Sequence, residues 1–162
     1  MNRNAQELLP IVPLRSLGCL DLGMKASEVK TVMNEKQKWE PWMGGNMNGF
    51  MMFHGLILEF SPMTSRDPQD DAALHEIELN VEVRDDFSFY GKRVSSWTRS
   101  ELLRYLESNL EQRIVNGPER DLVLPDLGLE MSFDEADKLC YLAMCLPAKT
   151  SWIDRLFGWL FG

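Results

Sequence analysis

His75 to Val83 is the stretch that most limits what this chain can become. Ile77, Leu79, Val81 and Val83 alternate there with Glu76, Glu78, Asn80 and Glu82. Side chains of a strand point to opposite faces in turn. This period of two therefore predicts a strand with one buried face and one wet face bearing carboxylates. A chain built around such a strand needs a sheet, and apolar cover for its dry side.

Two amphipathic segments can supply that cover. In Leu17–Glu35 a Leu-Asp-Leu-Gly-Met run leads into Ser27-Glu28, and Val29, Val32 and Met33 follow on one helical face. The pattern predicts a helix over about Lys25 to Lys38, with Lys25 a poor N-cap and Ser27 a later one. The second segment starts with Thr98-Arg99-Ser100-Glu101, a capping box, and continues with a stripe of Leu103, Leu106, Leu110 and Ile114 that ends before Gly117-Pro118.

Phe50–Phe53 and Leu56–Phe60 read as a hairpin around His54-Gly55. Ser61–Ala73 is a polar loop, and residues 84–95 form a connection whose Phe87, Phe89 and Tyr90 tuck against the core. Asp121–Leu124, Leu127–Phe133 and Leu139–Leu146 are three further strands. Helix, hairpin and third strand thus occur twice in order. The expected fold is α+β: two αβββ-like repeats, about 17–83 and 96–147, forming a mainly antiparallel sheet with helices on one face. The last strand is apolar on both sides, so a second cover is needed. The tail 151–162, with Trp152, Ile153, Leu156, Phe157, Trp159, Leu160 and Phe161, is the candidate, as a short amphipathic helix on this sheet, on a second copy or on a partner.

The 162 residues are expected to form a single domain over 1–162. A formal charge of −8 argues against nucleic acid as partner. No run approaches the roughly 20 apolar residues of a membrane helix, and membrane contact is not expected. MNRNAQELLPIVPL has no continuous apolar core and does not read as a secretory signal. Cys19, Cys140 and Cys145 form no CxxC pair, and the last two point to opposite faces of one strand. They read as buried, reduced thiols of a cytoplasmic protein.

No catalytic motif is legible. His54 and His75 lie in no metal-binding spacing and near no nucleophile elbow, and the expectation is an activity without chemistry and without cofactor or metal. Two stretches suit protein contact. Trp39, Trp42, Met43 and Met47 form an aromatic, methionine-rich loop of the kind found in interface hot spots, or else cap one end of the core. Glu76, Glu78 and Glu82, continued by Asp85 and Asp86, form an acidic strip: a solvated face or a docking strip for basic residues. Catalysis by paired carboxylates would need an enclosed cleft, which one exposed strand face does not give.

The Leu22-Gly23-Met24 turn, the helix opening Ser27-Glu28-Val29, the strand ending Leu58-Glu59-Phe60 and the strand carrying His75-Glu76-Ile77 together resemble small immunity proteins of bacterial polymorphic and contact-delivered toxin systems, some of which use duplicated helix-plus-strands units. The resemblance covers residues 17–83, and 96–147 by element order alone. Lys25 stands where that family would have a serine cap, and a lipoprotein signal is not expected. It implies stoichiometric binding of a cognate toxin or effector domain, basic in charge, with its active site occluded. The acidic strip would then steer and Trp39, Trp42 and Met43 would anchor. A homodimeric acidic secretion chaperone is the alternative, so a monomer or a homodimer is expected.

Overall fold

The computed structural model describes residues 8–33, 50–62, 68–109, 114–117 and 120–146. The Trp39–Met47 loop and the 151–162 tail lie outside the described residues. The strands are β1 (Leu9–Val12), β2 (Ser16–Leu17), β3 (Leu20–Asp21), β4 (Phe50–Phe53), β5 (Leu56–Ser61), β6 (Ala73–Asn80), β7 (Phe87–Phe89), β8 (Lys92–Arg93), β9 (Val115–Asn116), β10 (Leu122–Leu124), β11 (Leu129–Phe133) and β12 (Leu139–Cys145). Helices α1 (Ala26–Val32) and α2 (Arg99–Asn109) complete the described elements, with single 3-10 turns at Val94–Ser96 and Pro125–Leu127.

The fold is α+β, with mostly antiparallel strands, but they form two sheets where one was expected. Seven strands run in the order β4-β5-β6-β12-β11-β10-β9, and five short ones in the order β3-β2-β1-β7-β8. The large sheet is antiparallel throughout; the small one contains the parallel pair β1–β7. Residues 9–12, and residues 87–89 of the stretch read from sequence as a connection, are therefore strands of the second sheet. One continuous buried cluster joins Leu17, Leu20, Phe87 and Phe89 of the small sheet, Val29, Leu102 and Leu106 of the helices, and Leu58, Ile77, Leu79, Met131, Leu142 and Met144 of the large sheet. At roughly 1.5–3 kcal/mol for each fully buried large apolar side chain, this cluster is the main favourable contribution to the fold.

Local chemistry explains the helix starts. Thr98 and Glu101 form the expected box: the Glu101 N–H donates to Thr98 Oγ1 at 3.2 Å and the Thr98 N–H to Glu101 Oε2 at 3.4 Å. In α1, Lys25 is the N-cap after all. Its side chain has no acceptor to offer, but Glu28 reaches back to the Lys25 N–H at 2.8 Å and supplies half a box. Ser27 is thus inside the first turn and caps nothing. The buried positions of α2 are Leu102 and Leu106, with Leu103 only packed against the core edge, so the stripe is set one residue earlier than its spacing suggested. Leu110 lies outside the described residues.

The two helix starts are tied down alike. Lys25 bridges Ala73 and Thr98 bridges Lys138. Leu74 N–H donates to Met24 O at 2.8 Å, and Leu139 N–H to Trp97 O at 3.0 Å. The third strand that each tie enters, β6 or β12, carries one bulge: Glu59 faces Glu76 while Phe60 faces Leu74, and Ser132 faces Tyr141 while Phe133 faces Leu139. The extra residue, His75 or Cys140, switches the sides of what precedes it, so that Leu74 joins Ile77, and Leu139 joins Leu142, in the core. β6 and β12 then pair with each other at the centre of the sheet.

Candidate functional site

The large sheet has a second face, turned away from the buried cluster. The register places its side chains in rows across the strands. One row runs Val123, Glu130, Ala143, Glu78, Ile57, Met52, from β10 to β4. A second holds Cys145, Glu76, Glu59 and Phe50, and a third Ser132, Tyr141 and Asn80. The seven strands together carry four glutamates, Glu59, Glu76, Glu78 and Glu130, and no lysine or arginine.

Tyr141 is the centre of this group. It lies one strand from Glu78 and diagonal to it, close enough for a side-chain hydrogen bond in which its hydroxyl donates to the Glu78 carboxylate. Burial pushes the Tyr141 hydroxyl well above its ordinary range; the negative charges of Glu78, Glu76 and Glu130 add to the shift. The phenol is therefore held neutral as a hydrogen-bond donor among carboxylates.

The acidic strip expected from sequence is divided. Glu76 and Glu78 share the outward face as predicted, but Glu76 is 5 % exposed and not solvated, and Glu59 beside it is 9 % exposed. The strand ends at Asn80, whose side-chain oxygen accepts the N–H groups of Glu82 and Val83 at 3.1 and 3.2 Å and turns the chain. Val83, expected inside, is consequently 46 % exposed. Glu82 is exposed in that turn.

Asp85 and Asp86 do not extend the strip, because arginines neutralise them. Arg84 grips Asp86 with two nitrogens, at 2.9 and 3.2 Å, and its guanidinium lies 5.1 Å from the centre of the Phe87 ring. Arg93 bonds the Asp85 carbonyl and approaches its carboxylate at 3.4 Å, while the Ser95 N–H donates to the same carboxylate at 3.2 Å. These groups line a hollow of about 330 Å³ with Leu8 and Val83. Two cations and two anions give it no net charge, and its bonds tie the 81–86 turn to the small sheet.

Glu59, Glu130 and Tyr141 were not singled out by sequence. Glu59 and Glu130 are the one charged residue of their strands and Tyr141 the one phenol of its own, which is a signal, but only the register brings them to the same face. His54 sits exposed in the β4–β5 turn and His75 half-buried at the β6 bulge. Cys140 and Cys145 are free thiols; Cys145 is buried as expected, whereas Cys140 is half-buried at the bulge and Cys19 is exposed. The Cys140 thiol, raised by burial and by Glu82 and Asp134, points to the Ser132 carbonyl at 3.2 Å. Among the described residues no group of three or more His, Cys, Asp or Glu is placed to hold a metal ion, and no helix is long and apolar enough to cross a membrane. No family model, curated protein or solved structure matches the chain.

Proposed function

We propose that this chain is a binding protein of the immunity class, which captures a basic toxin or effector domain in the cytoplasm and occludes its active site without chemistry of its own. The observation that carries the reading is the outward face of the large sheet, where Glu78 and Glu130 stand half-buried among apolar side chains, in a chain of net charge −8. Glu78, between Ala143 and Ile57, and Glu130, between Val123 and Ala143, combine charge with apolar neighbours. Carboxylates on a low-dielectric wall concentrate field and raise the encounter rate with a basic partner. Asp85 and Asp86 drop out of the steering set because Arg93 and Arg84 cancel them. Trp39, Trp42, Met43 and Met47 stay proposed as anchors on composition alone.

We also read the chain as two copies of one unit, β2-β3-α1-β4-β5-β6 and β7-β8-α2-β10-β11-β12. Supporting this are the paired helix-start bridges, the paired bulges at His75 and Cys140, and the meeting of β6 with β12 at the sheet centre. A circular permutant opened between β6 and β7, with the old ends joined by a flexible linker, then keeps a cooperative unfolding transition. A permutant that never folds would count against these unit boundaries.

The function is tested by recovering the tagged full chain from the cells that make it, identifying what is bound, and measuring complex mass and partner activity. A one-to-one complex with a basic domain whose activity is suppressed supports the reading. In that complex Glu78→Lys with Glu130→Lys slows association and flattens its salt dependence. A homodimer carrying a secreted effector would instead establish the chaperone alternative, and a partner whose activity survives binding would sink the occlusion mechanism.

A further inference from the structure

The outer side of α2 carries a second, differently charged surface. Trp97, Glu101, Arg104, Tyr105, Ser108 and Asn109 of α2 and its lead-in, with Lys92 of β8, line an open hollow of about 280 Å³. That is just under the roughly 300–1,000 Å³ of pockets that enclose a small molecule, so it fits a side chain with its flanking backbone better than a whole cofactor. The floor is rigid. The Trp97 indole N–H donates to Phe89 O at 3.0 Å, and the ring sits 5.6 Å from Tyr105, which in turn lies 4.9 Å from Tyr90.

The rim is cationic. Lys92 Nζ stands 4.7 Å from the centre of the Trp97 ring and 2.7 Å from Glu101 Oε2. Arg104 is exposed, and its Nε donates to Ser100 O at 3.3 Å. Two cations against one carboxylate make this wall locally positive on a strongly acidic chain.

Trp97 is 5 % exposed and belongs to the core, but an exposed arginine and a half-buried tyrosine beside it are not a general need of the fold. Counted from the N-caps Lys25 and Thr98, α1 has Met24, Thr31 and Val32 where α2 has Trp97, Arg104 and Tyr105, and Val32 is 42 % exposed. A helix docks on this architecture without an aromatic shelf and without an arginine. Trp, Tyr and Arg are also the residue types that dominate binding hot spots, and an arginine fork grips a carboxylate at two points.

We propose that this hollow binds an acidic segment of a protein partner, an aromatic side chain of the segment resting on Tyr105, above the buried Trp97, while a neighbouring carboxylate engages Arg104 and Lys92. The site is separate from the glutamate-bearing sheet face and does not depend on the function proposed for that face.

The test uses the full chain and two phage-displayed heptapeptide libraries, each with one fixed aromatic residue; one is enriched in Asp and Glu, the other in Asn and Gln. The acidic library yields enriched binders and the amide library does not. A synthetic copy of the leading peptide shifts the Trp97 indole N–H signal saturably, and its affinity falls about tenfold or more in Arg104→Glu, the loss expected when a charge-assisted contact is reversed. Tyr105→Ala gives the same loss; should that variant melt early, Arg104→Glu, a change at an exposed position, decides alone. The proposal is overturned if neither library enriches, if amide or basic peptides win, or if Arg104→Glu binds as well as the native chain. A doubled solution mass abolished by Arg104→Glu would also overturn it, by naming a second copy as the occupant.

Discussion

Gly55 and Gly128 close two hairpins of the large sheet in the same way. Both have left-handed backbone, with φ of +73° and +59°, and each carbonyl accepts from the third strand of its set, from the Asn80 N–H at 2.9 Å and the Cys145 N–H at 3.0 Å. A side chain at either place meets a strained backbone and a crowded one. A Cβ on Gly128 would come within 2.3 Å of the Cys145 carbonyl oxygen and 2.6 Å of Leu14 Cδ2; one on Gly55 would lie 2.6 Å from Arg84 Cβ.

These distances order three alanine variants. Gly91 has φ of +75° but nothing within 4 Å of a Cβ, so Gly91→Ala carries the backbone term alone, about 1–2 kcal/mol. Gly55→Ala adds a clash with Arg84 Cβ, an atom that moves only with its backbone. Gly128→Ala adds the closest clash, with a backbone carbonyl of the central strand and with Leu14 as well, and is expected to be the least stable of the three. Urea unfolding midpoints measure the order; Gly128→Ala proving as mild as Gly91→Ala would contradict it.

The parts of this fold that were legible in the sequence are those decided within a few residues. Thr98 and Glu101 cap α2 through contacts three positions apart, and His54-Gly55 sets the β4–β5 register by itself. The small sheet was illegible for the opposite reason. β1 pairs with β7 through Leu9↔Phe87 and Pro10↔Ser88, residues far apart in sequence on strands too short to show a period. The alternation at His75–Val83 outlasts the strand because Asn80, in phase with the glutamates, offers its side chain to two backbone N–H groups. Glu76 and Glu78 could be read as one face, but their meeting with Glu59, Glu130 and Tyr141 depends on a bulge and three cross-strand registers.

The corrected phase of α2 has a direct consequence for stability. Leu102 is fully buried and Leu103 only partly. Leu102→Ala is expected to cost about 2–5 kcal/mol, as for other buried leucines, and Leu103→Ala distinctly less. Equal losses in chemical denaturation would restore the phase that the Leu103–Leu106 spacing suggested.

Glu101 gives a titration test of the hollow beside α2. Its carboxyl is held below the usual range, first by the hydrogen bond from Lys92 and then by the Thr98 N–H. With a lowered folded value, the charged form is favoured above the unfolded pKa and that preference is lost as pH falls. Lys92→Met is therefore expected to move the Glu101 midpoint upward, by carboxyl NMR, leaving the smaller contribution of Thr98 in place. An unmoved midpoint would mean that the 2.7 Å contact does not persist in solution.

Tyr141 predicts an alkaline signature for the glutamate-bearing face. Burial first, and then Glu78, raise its hydroxyl above the ordinary value of 10.0. In the window above that value the unfolded chain releases the proton while the folded chain keeps it. The folded state then binds more protons, and stability falls as pH rises. Below pH 10 the contribution is fully present. Tyr141→Phe removes this dependence, and costs about 1 kcal/mol at pH 8 by taking the donor from Glu78. Urea midpoints of the native chain and of Tyr141→Phe, followed from pH 8 to pH 11, should therefore converge. Parallel curves would show that the phenol is not held neutral as a hydrogen-bond donor among the carboxylates.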